Sequence, residues 1–159
     1  MKATGEFRNE DVLFFENSFN RRLLQKIEQV ITAEDTVKAN TLIQAYESYK
    51  NMDLSDVWAD EEELLHYLKA KNFVKEQNYL QAFTEINKAI ASNKKFDNEL
   101  AAIYATDHYN LKGQIELILG NYNDAIKSFE FVQESPACCC ELKAEMESMI
   151  LELERLIEA

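Results

Sequence analysis

One pattern is written twice in this chain, and that constrains its fold more than any other feature. Residues 66–90 read HYLKAKNFVKEQNYLQAFTEINKAI and residues 108–132 read HYNLKGQIELILGNYNDAIKSFEFV. Setting Tyr79 on Tyr122 also sets Ala82 on Ala125, Phe83 on Ile126, Ile86 on Phe129 and Ala89 on Val132. Going backward, Lys69 meets Lys112 and Ala70 meets Gly113, all at an offset of 43 residues. A unit repeated at such a period is one that buries its apolar face only by stacking on its neighbours.

Within the second copy, Leu111, Ile115, Ile118 and Leu119 follow helical spacing. Gly120 then supplies the left-handed position that ends a helix at little steric cost. After Asn121 and Tyr122, the series Ala125, Ile126, Phe129 and Val132 restarts the period. Two helices joined this tightly fold back on one another. The small residues Ala70 or Gly113 and Ala82 or Ala125 let the two backbones approach. Tyr79 or Tyr122 wedges the turn, and Ile86 or Phe129 fills the layer between hairpins. Ser135 reads as the next N-cap and Pro136 as the first residue of a further helix. Three Gly and one Pro in 159 residues are too few for the turns of a sheet protein. The expectation is an all-α chain.

Gly113, Gly120, Tyr122, Ala125 and Phe129, with Pro136 close behind, resemble the signature of the tetratricopeptide repeat. Residues 66–90 resemble a weaker copy, with Ala70 in place of the Gly and Ile86 in place of the Phe. The resemblance covers 51–136. The family's usual period is about 34 residues, and the extra length here lies in NKKFDNELAAIYATD, where Leu100, Ile103, Tyr104 and His108 continue a helical spacing. This is similar to the longer-helix variant found in kinesin light chains. The implied fold is an α-solenoid of antiparallel helical hairpins, roughly seven helices, with a C-terminal capping helix.

One domain spanning 1–159 is expected. Residues 10–50 form its degenerate N-terminal hairpin, 53–92 the first repeat, 97–135 the second and 136–157 the cap. In 10–31, Val12, Phe15, Phe19, Leu23, Ile27 and Val30 share one face. Thr32 to Asp35 read as a near capping box, followed by Ala39, Leu42, Tyr46 and Tyr49 at helical spacing. Asp60 to Glu63 lie at the start of the next helix, where carboxylates complement the helix dipole. In 136–157, Cys139, Leu142, Met146, Met149, Leu153 and Leu156 form an apolar stripe opposite a row of Glu.

Net charge is −12. Such a surface repels phosphate backbones and anionic bilayers, so neither nucleic acid nor membrane is an expected partner. The N-terminal residues lack the apolar run of a secretory signal, no stretch reaches the ~18 apolar residues of a membrane span, and a reducing, cytoplasmic setting is expected. The three cysteines are consecutive, Cys138 to Cys140, which is not a disulfide framework. Consecutive helical side chains diverge, so Cys139 is expected in the core with Cys138 and Cys140 partly exposed. His66 and His108, each followed by Tyr, read as packing residues rather than as a metal pair. No phosphate loop or nucleophile elbow occurs. No enzymatic activity, cofactor or metal is expected.

What remains is a groove. In tetratricopeptide proteins the first helix of each hairpin lines it, and the resemblance carries this onto Leu64, Tyr67, Lys71 and Val74 in one repeat. In the other it selects Asp107, Asn110, Gln114, Leu117 and Ile118. Tyr67 and Lys71 stand where the family's carboxylate clamp places its first Lys and Asn, so binding of an acidic chaperone tail is not implied. The expected function is a non-enzymatic interaction module or scaffold that holds a peptide or helix of a basic or amphipathic partner. The alternatives are a small acidic secretion-type chaperone, similar to the type III class II chaperones, and a structural subunit that assembles through its C-terminal helix.

Overall fold

The structure is a computed structural model describing the backbone of 9–50 and 59–159, with side chains described over 20–49 and 61–159. The side chains of Val12, Phe15, Phe19 and Asp60, named above, lie outside the described residues. The described chain is all-helical: α1 Asn9–Thr32, α2 Thr36–Lys50, α3 Ala59–Lys75, α4 Tyr79–Asn93, α5 Glu99–Ile118, α6 Tyr122–Glu134 and α7 Cys140–Glu158. No strand occurs among the described residues. No helix among them is long and apolar enough to cross a membrane.

The period of 43 extends to the first hairpin. Helices α2, α4 and α6 begin at Thr36, Tyr79 and Tyr122, each 43 residues after the last. Each is preceded by the same left-handed turn, at Glu34 (φ 60°), Gln77 (φ 59°) and Gly120 (φ 79°). All three turns carry the same pair of backbone bonds. Asp35, Asn78 and Asn121 donate to the carbonyls of Val30, Phe73 and Glu116, and the left-handed residues donate to Ile31, Val74 and Leu117. This double closure satisfies the last carbonyls of α1, α3 and α5. Only the third turn has the glycine that adopts such a φ without strain.

The reading of Thr32 to Asp35 as a capping box is corrected. Thr32 is the last residue of α1, its hydroxyl donating to the Glu28 carbonyl at 2.9 Å. Asp35 is the cap of α2, its carboxylate accepting from the Lys38 N–H at 3.0 Å. Asn78 caps α4 in the same way, accepting from Gln81 N–H, and Asn98 caps α5, accepting from Ala101 N–H at 2.8 Å. These short polar side chains replace backbone partners that the first turn of a helix lacks.

Ala39, Ala82 and Ala125, also 43 residues apart, are each fully buried. They leave room for the first helix of their hairpin, and the next layer is filled by Ile43, Ile86 and Phe129. Gly113 makes the closest approach. A Cβ placed on it would sit 2.4 Å from the Phe129 ring, so any larger residue displaces a ring in a fully packed core.

Three apolar clusters result, and each joins a hairpin to the helix that follows it. The first joins Leu24, Ile27, Val30 and Ile31 of α1 and Ala39, Ile43 and Tyr46 of α2 to Leu65 and Leu68 of α3. The second sets Ala70 of α3 and Ala82, Ile86, Ala89 and Ile90 of α4 against Ile115 of α5. The third packs Ala125, Phe129 and Val132 of α6 against Met146, Ile150 and Leu153 of α7. Each buried aliphatic or aromatic side chain contributes about 1.5–3 kcal/mol of transfer free energy. Each hairpin therefore depends on its neighbour. Besides these sequential contacts, α1 packs on α3 and α3 packs on α5.

Ser135 and Pro136 do not start α7. Ser135 ends α6, its carbonyl accepting from Cys138 N–H at 3.1 Å and its hydroxyl accepting from Ala137 N–H at 3.3 Å. The turn shifts the helix start to Cys140 and reverses the order expected of the cysteines. Cys138 is buried against Met146 and its neighbours, while Cys139, at the N-cap, and Cys140 are exposed. On α7 the stripe Leu142, Met146, Met149 and Leu153 packs inward, joined by Ile150, whereas Leu156 is 58% exposed.

Candidate binding face on α3 and α5

Four of the groove residues inferred from the repeat lie on α3 and five on α5, and the packing of α3 on α5 brings part of the set together. Tyr67 is its centre. Its ring is 4.9 Å from that of His108, tilted by 49°, and Lys71 Nζ stands 5.5 Å from its centroid. Residues four apart on one helix face share a neighbourhood, which is how Lys71 reaches the ring. The same ammonium lies 3.8 Å from a carboxylate oxygen of Glu28 on α1. Asp107 completes the group from α5. Its charge and that of Glu28 add to burial in pushing the Tyr67 hydroxyl up to about 12. Partial burial also raises the Asp107 carboxyl above its ordinary range, while the charge of Lys71 pulls against that shift.

Asn110 and Gln114 form a second, exposed pair on α5, the Gln114 amide donating to Asn110 Oδ1 at 3.1 Å. Val74 is half-buried against the α3–α4–α5 cluster, as is Tyr67. Two of the expected residues go elsewhere. Leu64 packs against the α1–α2 core, and Leu117 packs against the α6–α7 core. The repeat's register names all of them equally, but only tertiary packing separates those that bind neighbouring helices from those left at the surface. Ile118 is 52% exposed.

Beneath this face lies a set of buried polar links that periodicity does not reveal. Glu63 of α3 accepts from the Asn93 amide of α4 at 2.9 Å and stands 3.5 Å from His108 Nε2 of α5. His108 is nearly fully buried, and burial lowers its imidazole to about 4. The ring is therefore neutral at pH 7 and acts as a packing residue between α3 and α5. His66 meets Glu85 of α4 at 2.6 Å. Burial works against the Glu85 carboxylate, but hydrogen bonds with His66 and Lys88 and the charge of Lys69 outweigh it and hold it near 2. In the next hairpin the buried Glu116 accepts from Ser128 at 2.6 Å, with Lys112 Nζ at 3.5 Å. Tyr46 of α2 and Asn20 of α1 both donate to Glu61 of α3.

Glu61 and Glu63, read from the sequence only as complementing the helix dipole, are thus buried interhelical acceptors. Such groups are tolerated because donors from other helices meet them. The partners of Glu61 and Glu63 lie 15 to 45 residues away in the chain, beyond the range of any local pattern. Among the described residues, no group of three or more His, Cys, Asp or Glu side chains is placed to hold a metal ion. The α3–α5 face presents a half-buried aromatic ring, a pair of amides, and carboxylates that outnumber the ammonium between them. Comparison with protein families, with curated proteins and with solved structures finds no match to this chain.

Proposed function

We propose that the chain is a non-enzymatic interaction module, a solenoid of tetratricopeptide-like hairpins that holds a peptide or helix of a partner protein along its first helices. The observation that carries this reading is the succession of packed first helices, α1 on α3 and α3 on α5, with Tyr67, Lys71, Asp107, Asn110 and Gln114 left on their shared face. Support for the solenoid comes from the threefold recurrence of turn, helix start and buried alanine at one period. A half-buried aromatic ring beside amides suits main-chain and side-chain contacts with a bound segment.

The test is a Tyr67→Ala/Asn110→Ala double variant assayed against a purified binding partner, with circular dichroism and thermal melting as folding controls. Affinity falls at least tenfold if the face is the binding surface. Unchanged affinity with an intact fold removes the face from the account.

A second reading, assembly through α7, is favoured by the exposure of Leu151, Leu156 and Ile157, at 48%, 58% and 43%. Because α7 covers Phe129 and Val132, deleting it would expose the core. Leu156→Ser/Ile157→Ser is the sharper probe, with light scattering as the readout. A change in mass on substitution supports assembly, and a monomer before and after removes it.

A further inference from the structure

On α5, Leu100, Tyr104, Asp107, Leu111, Gln114 and Ile118 recur at alternating spacings of four and three, which sets them in one row along the helix. Leu100 is 53% and Tyr104 40% exposed, Ile103 beside them is 48% exposed, and Ile118 at the far end is open as well. The opposite face carries Ala101, Gly113 and Ile115 into the fold. A helix that is apolar on two faces is suited to being covered on both.

The chain itself shows what covers such a row. One period of 43 residues earlier, the positions matching Tyr104, Asp107, Leu111, Gln114 and Ile118 are Glu61, Leu64, Leu68, Lys71 and Lys75 of α3. There another helix, α1, lies along them. Leu64 and Leu68 pack into the α1–α2 core, Asn20 of α1 donates to Glu61 at 3.4 Å, and Lys71 Nζ stands 3.8 Å from Glu28 of α1. Because 20 meets 61 and 28 meets 71, the covering helix runs parallel to the one it covers. On α5 this cover is missing. α3 meets α5 at His108, through Tyr67 and Glu63, and the row stays at the surface.

Charge decides which helix the row takes. On α3, Lys71 and Lys75 are answered by Glu28 of α1 and by Glu34 in the turn after it. The matching positions on α5 are Gln114 and Ile118, so no ammonium there selects an acidic helix. The chain's net charge of −12 attracts a basic one and sets a second copy, with the same charge, against self-association.

We propose that the open row of α5 takes an amphipathic helix of the partner protein, apolar at heptad spacing towards α5 and rich in Lys or Arg elsewhere, lying parallel to α5 as α1 lies along α3. The inference rests on the first helices being the binding surface, and its test separates the two claims. The probe is a synthetic helix of three heptads, with Leu at positions a and d and Lys or Gln at the others. One version carries a benzophenone near its N-terminus and another near its C-terminus. The control peptide has the same residues scrambled so that no apolar face forms.

Titrated against the full chain, the probe is expected to bind at least tenfold more tightly than the scrambled peptide. Leu100→Ser/Tyr104→Ser/Ile118→Ser weakens it tenfold or more, while Leu156→Ser/Ile157→Ser on α7 binds as the parent does. On the unaltered chain the N-terminal benzophenone crosslinks near 100–107 and the C-terminal one near 111–118, so the result does not depend on how a variant folds. Crosslinks in the reverse order overturn the parallel placement. Crosslinks confined to other helices, equal binding of the scrambled peptide, or no binding overturn the proposal. A dimer of the chain alone that the α5 variant abolishes puts a second copy on the row and overturns it too. Binding that needs Tyr67 and Asn110 but ignores the α5 variant keeps the first helices as the surface and removes the helix from this row. Binding indifferent to both sets overturns both claims.

Discussion

Gly113 on α5 and Phe129 on α6 meet so closely that a single added methyl group would lie 2.4 Å from the ring. Phe129 is fully buried, so the ring cannot swing into solvent to make room. Gly113→Ala should therefore destabilise the chain by about 1–3 kcal/mol through overpacking, reduced by the up to ~1 kcal/mol that Ala contributes over Gly in a helix interior. A lower urea midpoint with an unchanged slope checks this. Adding Phe129→Leu to the Ala variant should recover part of the loss, because the smaller side chain vacates the contact.

The three left-handed turns share one backbone hydrogen-bond pattern but carry different residues at the left-handed position. Gln77→Gly should raise stability by roughly 0.5–1 kcal/mol, since Gln77 sits at φ 59°, where a Cβ is penalised. Gly120→Ala should lower it by about 1 kcal/mol. A Cβ at Gly120 would meet nothing within 4 Å, so that cost is purely backbone strain. Thermal melts of the two variants should move in opposite directions.

Legibility in the sequence follows the same division. The close approach at Gly113 and the Gly120 turn were readable because glycine leaves an unmistakable mark on a helical pattern. The pattern placed Phe129 between hairpins, whereas its ring in fact lies against Gly113 within one. The first hairpin keeps the same period, but Glu34 stands where Gly120 does, and Ile27 where Gly113 does. With the glycines gone, only Ala39 at the shared spacing could have revealed it. The cysteine order was illegible for another reason. Three identical residues carry no phase, and the turn after Ser135 moved the helix start. As for the candidate face, Tyr67 and Asp107 are found by register alone, but their approach to each other depends on how α3 packs on α5.

The buried imidazole of His108 makes stability pH-dependent. Its folded pKa, about 4, lies below the ordinary imidazole value of 6.5, so the unfolded chain binds more protons between those values. Stability from this group is fully present above about pH 6.5 and falls as pH drops toward 4. The loss is at most about 1.4 kcal/mol per pH unit within that window. Glu63 stands 3.5 Å from the His108 Nε2, and the Tyr67 ring is tilted against the imidazole at 4.9 Å. In His108→Gln, the stability curve between pH 4 and 6.5 should be flatter than in the parent, as read by urea titrations at successive pH values. An identical slope in both would show that His108 is not the titrating group.

Thiol labelling should follow the exposure order of the cysteines. Cys139 and Cys140 are exposed and Cys138 is buried, where burial also raises its thiol above the ordinary range. A maleimide should add rapidly to two sites in the native protein and to a third only in denaturant. Peptide mass mapping should place the slow site at Cys138.

If a partner segment lies along the first helices, backbone amide NMR of the full chain with a bound peptide should show it. Shifts should concentrate in 64–74 and 107–117, around Tyr67, Asp107 and Asn110, with α7 unmoved. Shifts confined to residues 151–158 of α7, with α3 and α5 silent, would contradict it.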